Sequence, residues 1–169
     1  MAKHVGAFVA TTTSTKNVDW VKDLGADLVI DYKQDDFEKF LHDYDVVLNS
    51  QDSTTLTKSL NVLKPGGKLI SISGPPDPAF GEEIKAPWFV KLILRLLSSG
   101  VRKKAKDRKV SFSFLFMKAN GKQLREITAL IDSGAIRPVV ERVFPFDATP
   151  QALAHVEAGR AKGKVVVKI

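Results

Sequence analysis

Short β-prone runs alternate with helical segments through the first half of this chain, and that alternation restricts the fold more than any other feature. Phe8–Thr12, Leu28–Ile30, Tyr44–Leu48 and Lys68–Ser73 read as strands. Val18–Leu24 reads as a short helix that stops at Gly25-Ala26-Asp27. Thr54–Leu63 reads as a helix with Leu56, Leu60 and Leu63 on one face, at i, i+4 and i+7, ended by Pro65-Gly66-Gly67. Strands joined through helices lie parallel, and a parallel sheet is buried under helices on both faces. The expected class is therefore α/β, with a mostly parallel sheet and helices on both of its faces.

The pattern continues with variations. Gly74-Pro75-Pro76-Asp77-Pro78 is a loop, and Trp88–Leu97 is an apolar helix that runs on into a basic cluster. Ser111–Met117 alternates as a strand, with Phe112, Phe114 and Phe116 on one side and Ser111, Ser113 and Leu115 on the other. Asn120–Ser133 is an amphipathic helix built on Leu124, Ile127, Leu130 and Ile131 and stopped by Gly134. A strand at Arg142–Phe146, a helix at Pro150–Ala158 and a strand at Gly163–Ile169 follow. A chain of 169 residues is one domain of ordinary size, with residues 135–169 as a distinct tail.

Composition excludes several function classes. No run approaches the roughly 20 apolar residues of a membrane span. The first residues lack a charged-then-apolar signal pattern, so the expected location is cytoplasmic. There is no cysteine, hence no disulfide, thiolate nucleophile or cysteine-based metal site. The three histidines, His4, His42 and His155, show no spacing that suggests zinc. The formal charge of +7 is local: between Trp88 and Lys109 eight cations face Asp107 alone, and the rest of the chain is neutral. That argues against a nucleic-acid-binding fold. It leaves membrane-surface contact through residues 88–109 as a reading beside that of a helix with a solvated basic end.

Four segments carry a resemblance together. They are Leu24-Gly25-Ala26-Asp27 with Ile30-Asp31-Tyr32, Asp45-Val46-Val47-Leu48, Leu63-Lys64-Pro65-Gly66-Gly67-Lys68-Leu69, and Gly159-Arg160-Ala161-Lys162-Gly163-Lys164-Val165-Val166. In this order the chain resembles the C-terminal, nucleotide-binding half of quinone-oxidoreductase-like members of the medium-chain dehydrogenase/reductase superfamily. The resemblance implies a Rossmann-like sheet, NADPH as cofactor, zinc-independent reduction of quinones or other activated carbonyl compounds, and a dimer. It also implies that the first strand, its Gly-rich G-x-G-x-x-G loop and a barrel-like N-terminal domain would precede Phe8. Only Met1–Gly6 stands there, enough for a last helical turn and its glycine stop. The chain is thus expected to be a fragment that is inactive alone, its tail at 135–169 belonging against the absent barrel.

Candidate cofactor-binding residues follow from where strands end. Ligands of open α/β sheets sit at the carboxyl ends of the strands. An acid after the first visible strand would accept from a ribose 2′-hydroxyl and repel a 2′-phosphate. Thr11-Thr12-Thr13-Ser14-Thr15-Lys16 has none, which favours NADPH with Ser14 and Lys16 as contacts. The family often carries its lysine at the position of Asn17. Ser14 or Thr15 also reads as a plain helix cap. The resemblance adds Tyr32 near the same phosphate and Arg160 near the cofactor. Asn49, Ser73 and Gly74 end the next two strands and would line the nicotinamide side, although Asn49-Ser50-Gln51-Asp52 departs from the usual Asp-x-x-Gly. No side chain is assigned a catalytic role and no metal site is expected.

Two other readings remain open. The Leu63–Leu69 segment also resembles S-adenosylmethionine-dependent methyltransferases, which usually end in an antiparallel hairpin. A non-catalytic remnant that binds nucleotide weakly or only dimerises is the third. The homodimer itself is expected through Ser111–Met117, which the strand order implied by the resemblance puts at the sheet edge, where an unpaired apolar strand invites association.

Overall fold

The computed structural model describes residues 1–159 and 161–169, which fall into two compact units, Val9–Lys118 and Met1–Phe8 with Ala119–Ile169.

The larger unit opens on β1 (Ala10–Thr13) and β2 (Leu28–Asp31), parallel, with Ala10 opposite Leu28 and Thr13 opposite Asp31. The crossover helix α1 (Val18–Asp23) gives way to Gly25 at φ 99°, a conformation that glycine adopts without a side-chain clash. Asp27 then accepts from the Val9 amide at 2.7 Å, tying the turn to the entry of β1. Both strands match their sequence readings in kind, with ends shifted by no more than two residues.

Three more strands form a second sheet. β3 (Tyr44–Asn49), β4 (Leu63–Ser71) and β5 (Ser111–Phe114) are parallel in that order. The crossover α2 (Ser53–Ser59) is capped by Asp52, whose carboxylate accepts from the Thr55 amide at 2.8 Å. That bond holds the Asp52 carboxyl below the usual range. The helix is shorter than its periodicity predicts, because Leu63 already belongs to β4. Pro65-Gly66-Gly67 does not end a helix either; it makes an irregularity inside β4, where the register jumps from Tyr44–Leu63 to Val46–Lys68. Gly66 has φ 86° there, and its amide donates to the Lys109 carbonyl at 2.7 Å. A Cβ on Gly67 would lie 2.8 Å from the Lys64 carbonyl oxygen.

Helices α3 (Pro78–Glu83), α4 (Trp88–Leu97) and α5 (Ser99–Asp107) lead from β4 to β5. Leu56 and Leu60 meet Leu63 and Leu69 of the sheet and Ala105 and Val110 around α5, covering one sheet face. A second cluster of Ile30, Leu41 and Val62 packs with Ala10, Leu28, Tyr44 and Val47 and so joins the two sheets. Burial there pushes the Tyr44 hydroxyl pKa up. No ladder runs between β1 and β3, however, and the two sheets stay separate. That is the place where the expected first strand would pair. On the other face of the second sheet Val46, Leu48 and Ile72 are exposed.

Strand β5 is shorter than the Ser111–Met117 alternation suggested. Asp77 caps α3 through the Phe80 amide at 2.9 Å and also takes the Phe114 amide at 3.1 Å. Phe112 enters the core, whereas Phe114 and Phe116 lie on the Phe80 ring at 5.3 and 5.5 Å.

In the smaller unit, Lys3–Val5 is a single 3₁₀ turn closed by Gly6 at φ 78°, as the opening residues suggested. Helix α6 (Gly121–Asp132) is capped by Asn120, which accepts from the Lys122 and Gln123 amides. β6 (Val140–Pro145) and β7 (Lys164–Lys168) pair in parallel around α7 (Thr149–Glu157). The tail strands therefore have each other as partners. They are not the antiparallel hairpin of a methyltransferase ending.

A candidate nucleotide site at the strand exits

Two groups of polar side chains gather where parallel strands of the larger unit end. The first surrounds the exit of β1. The Tyr32 amide donates to the Thr13 carbonyl at 3.0 Å, so the chain leaving β2 runs beside the chain leaving β1. Ser14 is extended and precedes the 3₁₀ turn Thr15–Asn17. Its hydroxyl accepts from the Asn17 side-chain Nδ2 at 3.2 Å and makes no cap bond to the backbone, so the plain helix-cap reading does not hold for Ser14. Lys16 and Tyr32 are exposed.

Two features here escaped the sequence. Asp31 ends β2 with its carboxyl held below the usual range, first by a hydrogen bond from the Thr15 side chain. The Lys33 amide at 3.0 Å and the Gln34 side-chain nitrogen at 2.9 Å complete its partners. An acid therefore stands one strand over from Ser14, with its oxygens engaged by protein donors. The second feature is the Asn17 amide oxygen, which is buried without a hydrogen-bond partner among the described residues. A buried acceptor left unpaired is costly unless another molecule supplies a donor.

The second group spans the exits of β3 and β4. Asn49 and Ser71 are buried, and the Ile72 amide donates to the Asn49 carbonyl at 3.0 Å. The Ser73 hydroxyl donates to the Gln51 carbonyl at 2.6 Å and lies 3.4 Å from the Asn49 amide oxygen. The Gly74 amide donates to the Ser71 hydroxyl at 2.8 Å. A Cβ on Gly74 would sit 2.7 Å from that oxygen and 3.1 Å from Leu56, so only glycine fits this approach. Asn49, Ser73 and Gly74 are thus brought together, as are Ser14 and Tyr32 at the neighbouring exits. Arg160 lies outside the described residues.

Hydroxyls, amides, one ammonium and an orphaned buried acceptor suit the ribose and phosphate ends of a nucleotide. Among the described residues no three His, Asp or Glu side chains converge. His155 instead contacts Glu141 at 3.2 Å. The 169 residues contain no G-x-G-x-x-G turn for a pyrophosphate.

Parallel strands with polar groups gathered at their carboxyl ends define an open α/β architecture, and that edge is where such sheets take their ligands. The sequence profile described as zinc-binding dehydrogenase matches residues 24–167, and the chain belongs to that family. Within it the chain corresponds to the C-terminal, nucleotide-binding half of the quinone-oxidoreductase-like enzymes, as its ordered motifs implied. It is 34% identical over 174 residues to the NAD(P)H oxidoreductase RTN4IP1, mitochondrial, of Danio rerio, covering 100% of this chain and 44% of that protein. It is 31% identical over 171 residues to an NADPH-dependent alkenal/one oxidoreductase, chloroplastic, of Arabidopsis thaliana, covering 99% of this chain and 36% of that one. The chain spans less than half the length of these curated relatives. In fold it is similar to the quinone oxidoreductase from Coxiella burnetii, with a TM-score of 0.75 at 24% identity, over 99% of this chain and 47% of that one.

Proposed function

We propose that this chain is the nucleotide-binding part of a cytosolic, zinc-independent, NADPH-dependent reductase of quinones or other activated carbonyl compounds. The exit of β1 carries the cofactor choice. No acid occurs from Ser14 to Asn17, and the Asp31 carboxylate is occupied by Thr15, Lys33 and Gln34. A carboxylate open to the ribose would favour the 2′-hydroxyl of NADH; Ser14, Lys16 and Tyr32 instead offer two hydroxyls and a cation to a 2′-phosphate. Asn49, Ser73 and Gly74 are assigned to the nicotinamide-ribose end, and Arg160 to the cofactor on the family pattern. NADPH supplies the hydride when bound, which is why the protein needs no nucleophile–base pair. The chain's own residues bind and orient. Relatives named as NAD(P)H and NADPH-dependent oxidoreductases support the nicotinamide-cofactor part of this reading.

The 2′-phosphate pocket is testable without the rest of the cofactor. Titration of the chain with 2′,5′-ADP and with 5′-ADP, followed by backbone NMR shifts, should show the 2′-phosphate form binding about tenfold tighter, one charge-assisted contact's worth. Lys16→Ala should remove that difference. Equal affinity of the two nucleotides for the unsubstituted chain would overturn the NADPH assignment.

The same reading includes a homodimer through Ser111–Met117. β5 is the edge of its sheet, and Leu115, Phe116 and Met117 beyond it are exposed. Asp77 already takes the Phe114 amide, so pairing would have to begin nearer Ser111. Sedimentation equilibrium at micromolar concentration should give twice the chain mass; a monodisperse monomer would refute the interface.

A further inference from the structure

Helix α4 is amphipathic with its apolar side turned outward. Trp88, Phe89, Leu92, Ile93, Leu96 and Leu97 are each at least 49% exposed. Positions 88, 92 and 96 form one row along the helix and 89, 93 and 97 the next, so the six make a continuous stripe. The inward side is held by different residues. Leu94 and Lys91 pack so closely on α3 that a Cβ on Gly81 would come within 3.0 and 3.3 Å of them. A surface helix ordinarily turns its apolar stripe towards the core, and a contiguous exposed one marks an interaction site.

The charge beside this stripe identifies the occupant. Helix α5 follows directly from Ser98 and carries Arg102, Lys103, Lys104 and Lys106 outward, with Arg108 and Lys109 after it. Among the described residues none of these six cations is in an ion pair. The neighbouring acids of α3 are neutralised, Glu82 by Lys91 at 2.5 Å and Glu83 by Lys118. Arg102, Lys106 and Lys109 also line one open depression of about 330 Å³, room for a phosphate group. At 1.5 Å per residue the nine residues of α5 stay within about 15 Å of the end of α4. A second copy docking through the same face would set this cluster against itself, which like-charge repulsion opposes. An anionic surface that is apolar just beneath satisfies both halves.

We propose that α4 and α5 dock on an anionic phospholipid bilayer, with α4 lying in the interface plane, its six outward side chains at the headgroup–acyl boundary and the α5 cations on lipid phosphates. Ten residues are too few to span a bilayer, and no helix among the described residues is long and apolar enough to do so. Trp88 and Phe89 at the start of α4 are of the type that anchors at this depth. The surface is independent of the cofactor reading, and its test uses no nucleotide.

The full chain should be floated with vesicles of phosphatidylcholine, and with vesicles of phosphatidylcholine mixed with phosphatidylglycerol. Binding is expected to the mixed vesicles, at least tenfold weaker to the neutral ones, and reversed by salt. Lys103→Gln with Lys104→Gln should weaken binding roughly 30-fold. Trp88→Ser with Leu96→Ser should abolish it. All four positions are exposed, and unchanged thermal unfolding of each variant will show that the fold is retained. Equal binding to both vesicles, binding to neither, or indifference to the lysine changes would overturn the proposal. So would a self-association that the Trp88→Ser, Leu96→Ser variant dissolves while vesicles stay unbound.

Discussion

Leu69→Ala is expected to remove a large share of the stability of the larger unit. Leu69 is fully buried and lies in register between Val47 of β3 and Phe112 of β5. Its side chain packs in the cluster that holds α2 and α5 against the sheet. Truncation loses the transfer free energy of the removed methyls and leaves a cavity that a two-sided packing cannot collapse into, together about 2–5 kcal/mol. Domain stabilities are roughly 5–15 kcal/mol, so the loss is a large fraction of what there is. Both tryptophans, Trp20 and Trp88, belong to this unit, so fluorescence-detected urea unfolding reports on it without the smaller unit. Leu48→Ala is the control. Leu48 lies on the opposite, exposed face of β3, and its loss should change stability by no more than about 0.5 kcal/mol. Similar midpoints for the two variants would mean that the Leu69 cluster is not what holds the sheet.

Leu69 falls in the Lys68–Ser73 run that reads as a strand, and the contrast with its neighbours shows why other features are harder to read. The run of Leu56, Leu60 and Leu63 kept helical spacing across a real helix end. Leu63 reaches the same cluster from a strand, and spacing alone does not distinguish the two routes. The Pro-Gly-Gly that follows looked like a helix stop because turn chemistry and strand irregularities use the same residues. What decides is the register beside Tyr44 and Val46, which is set by pairing. The alternation of Phe112, Phe114 and Phe116 overstated β5 for a related reason. Asp77, distant in sequence, takes the Phe114 amide.

At the candidate site the split has the same origin. That Ser14, Asn49, Ser73 and Gly74 end strands on one edge follows from parallel topology, so pattern reading could find them. That Asp31 is engaged by Thr15 follows from Thr13 lying opposite Asp31, a tertiary fact. A search confined to the segment after β1 finds no acid there and passes over the one beside it. The parallel pairing of β6 with β7 was hidden in the same way, because neither strand's sequence names its partner.

NADPH oxidation by these 169 residues alone, with a simple quinone as acceptor, is expected to stay below about 1 per second, the low end of ordinary enzyme rates. On the proposed assignment the residues at the strand exits meet the ends of the cofactor and leave its middle without a cradle. A pyrophosphate in this fold is cradled by backbone amides of a Gly-rich turn at a helix N-terminus, and the 169 residues contain no such turn. The family pattern puts its strand between β1 and β3, which share no ladder. Each backbone group that stays unpaired there costs on the order of 1–3 kcal/mol if buried. Positioning is also incomplete. Orientation of donor and acceptor accounts for several kcal/mol of an enzymatic barrier, and in the proposed assignment Asn49, Ser73 and Gly74 would form only one wall of a nicotinamide cleft, whose opposite wall the family resemblance assigns to a barrel domain. Weak cofactor binding and loss of orientation multiply, so rates orders of magnitude below those of a complete enzyme are the expected outcome. The measurement is the fall in NADPH absorbance with purified chain at saturating quinone, beside the 2′,5′-ADP titration. Nucleotide binding without turnover is the pattern anticipated for a nucleotide-binding half. Turnover above about 1 per second would show that the strand exits suffice for hydride transfer and that the Gly-rich turn and the second wall are dispensable.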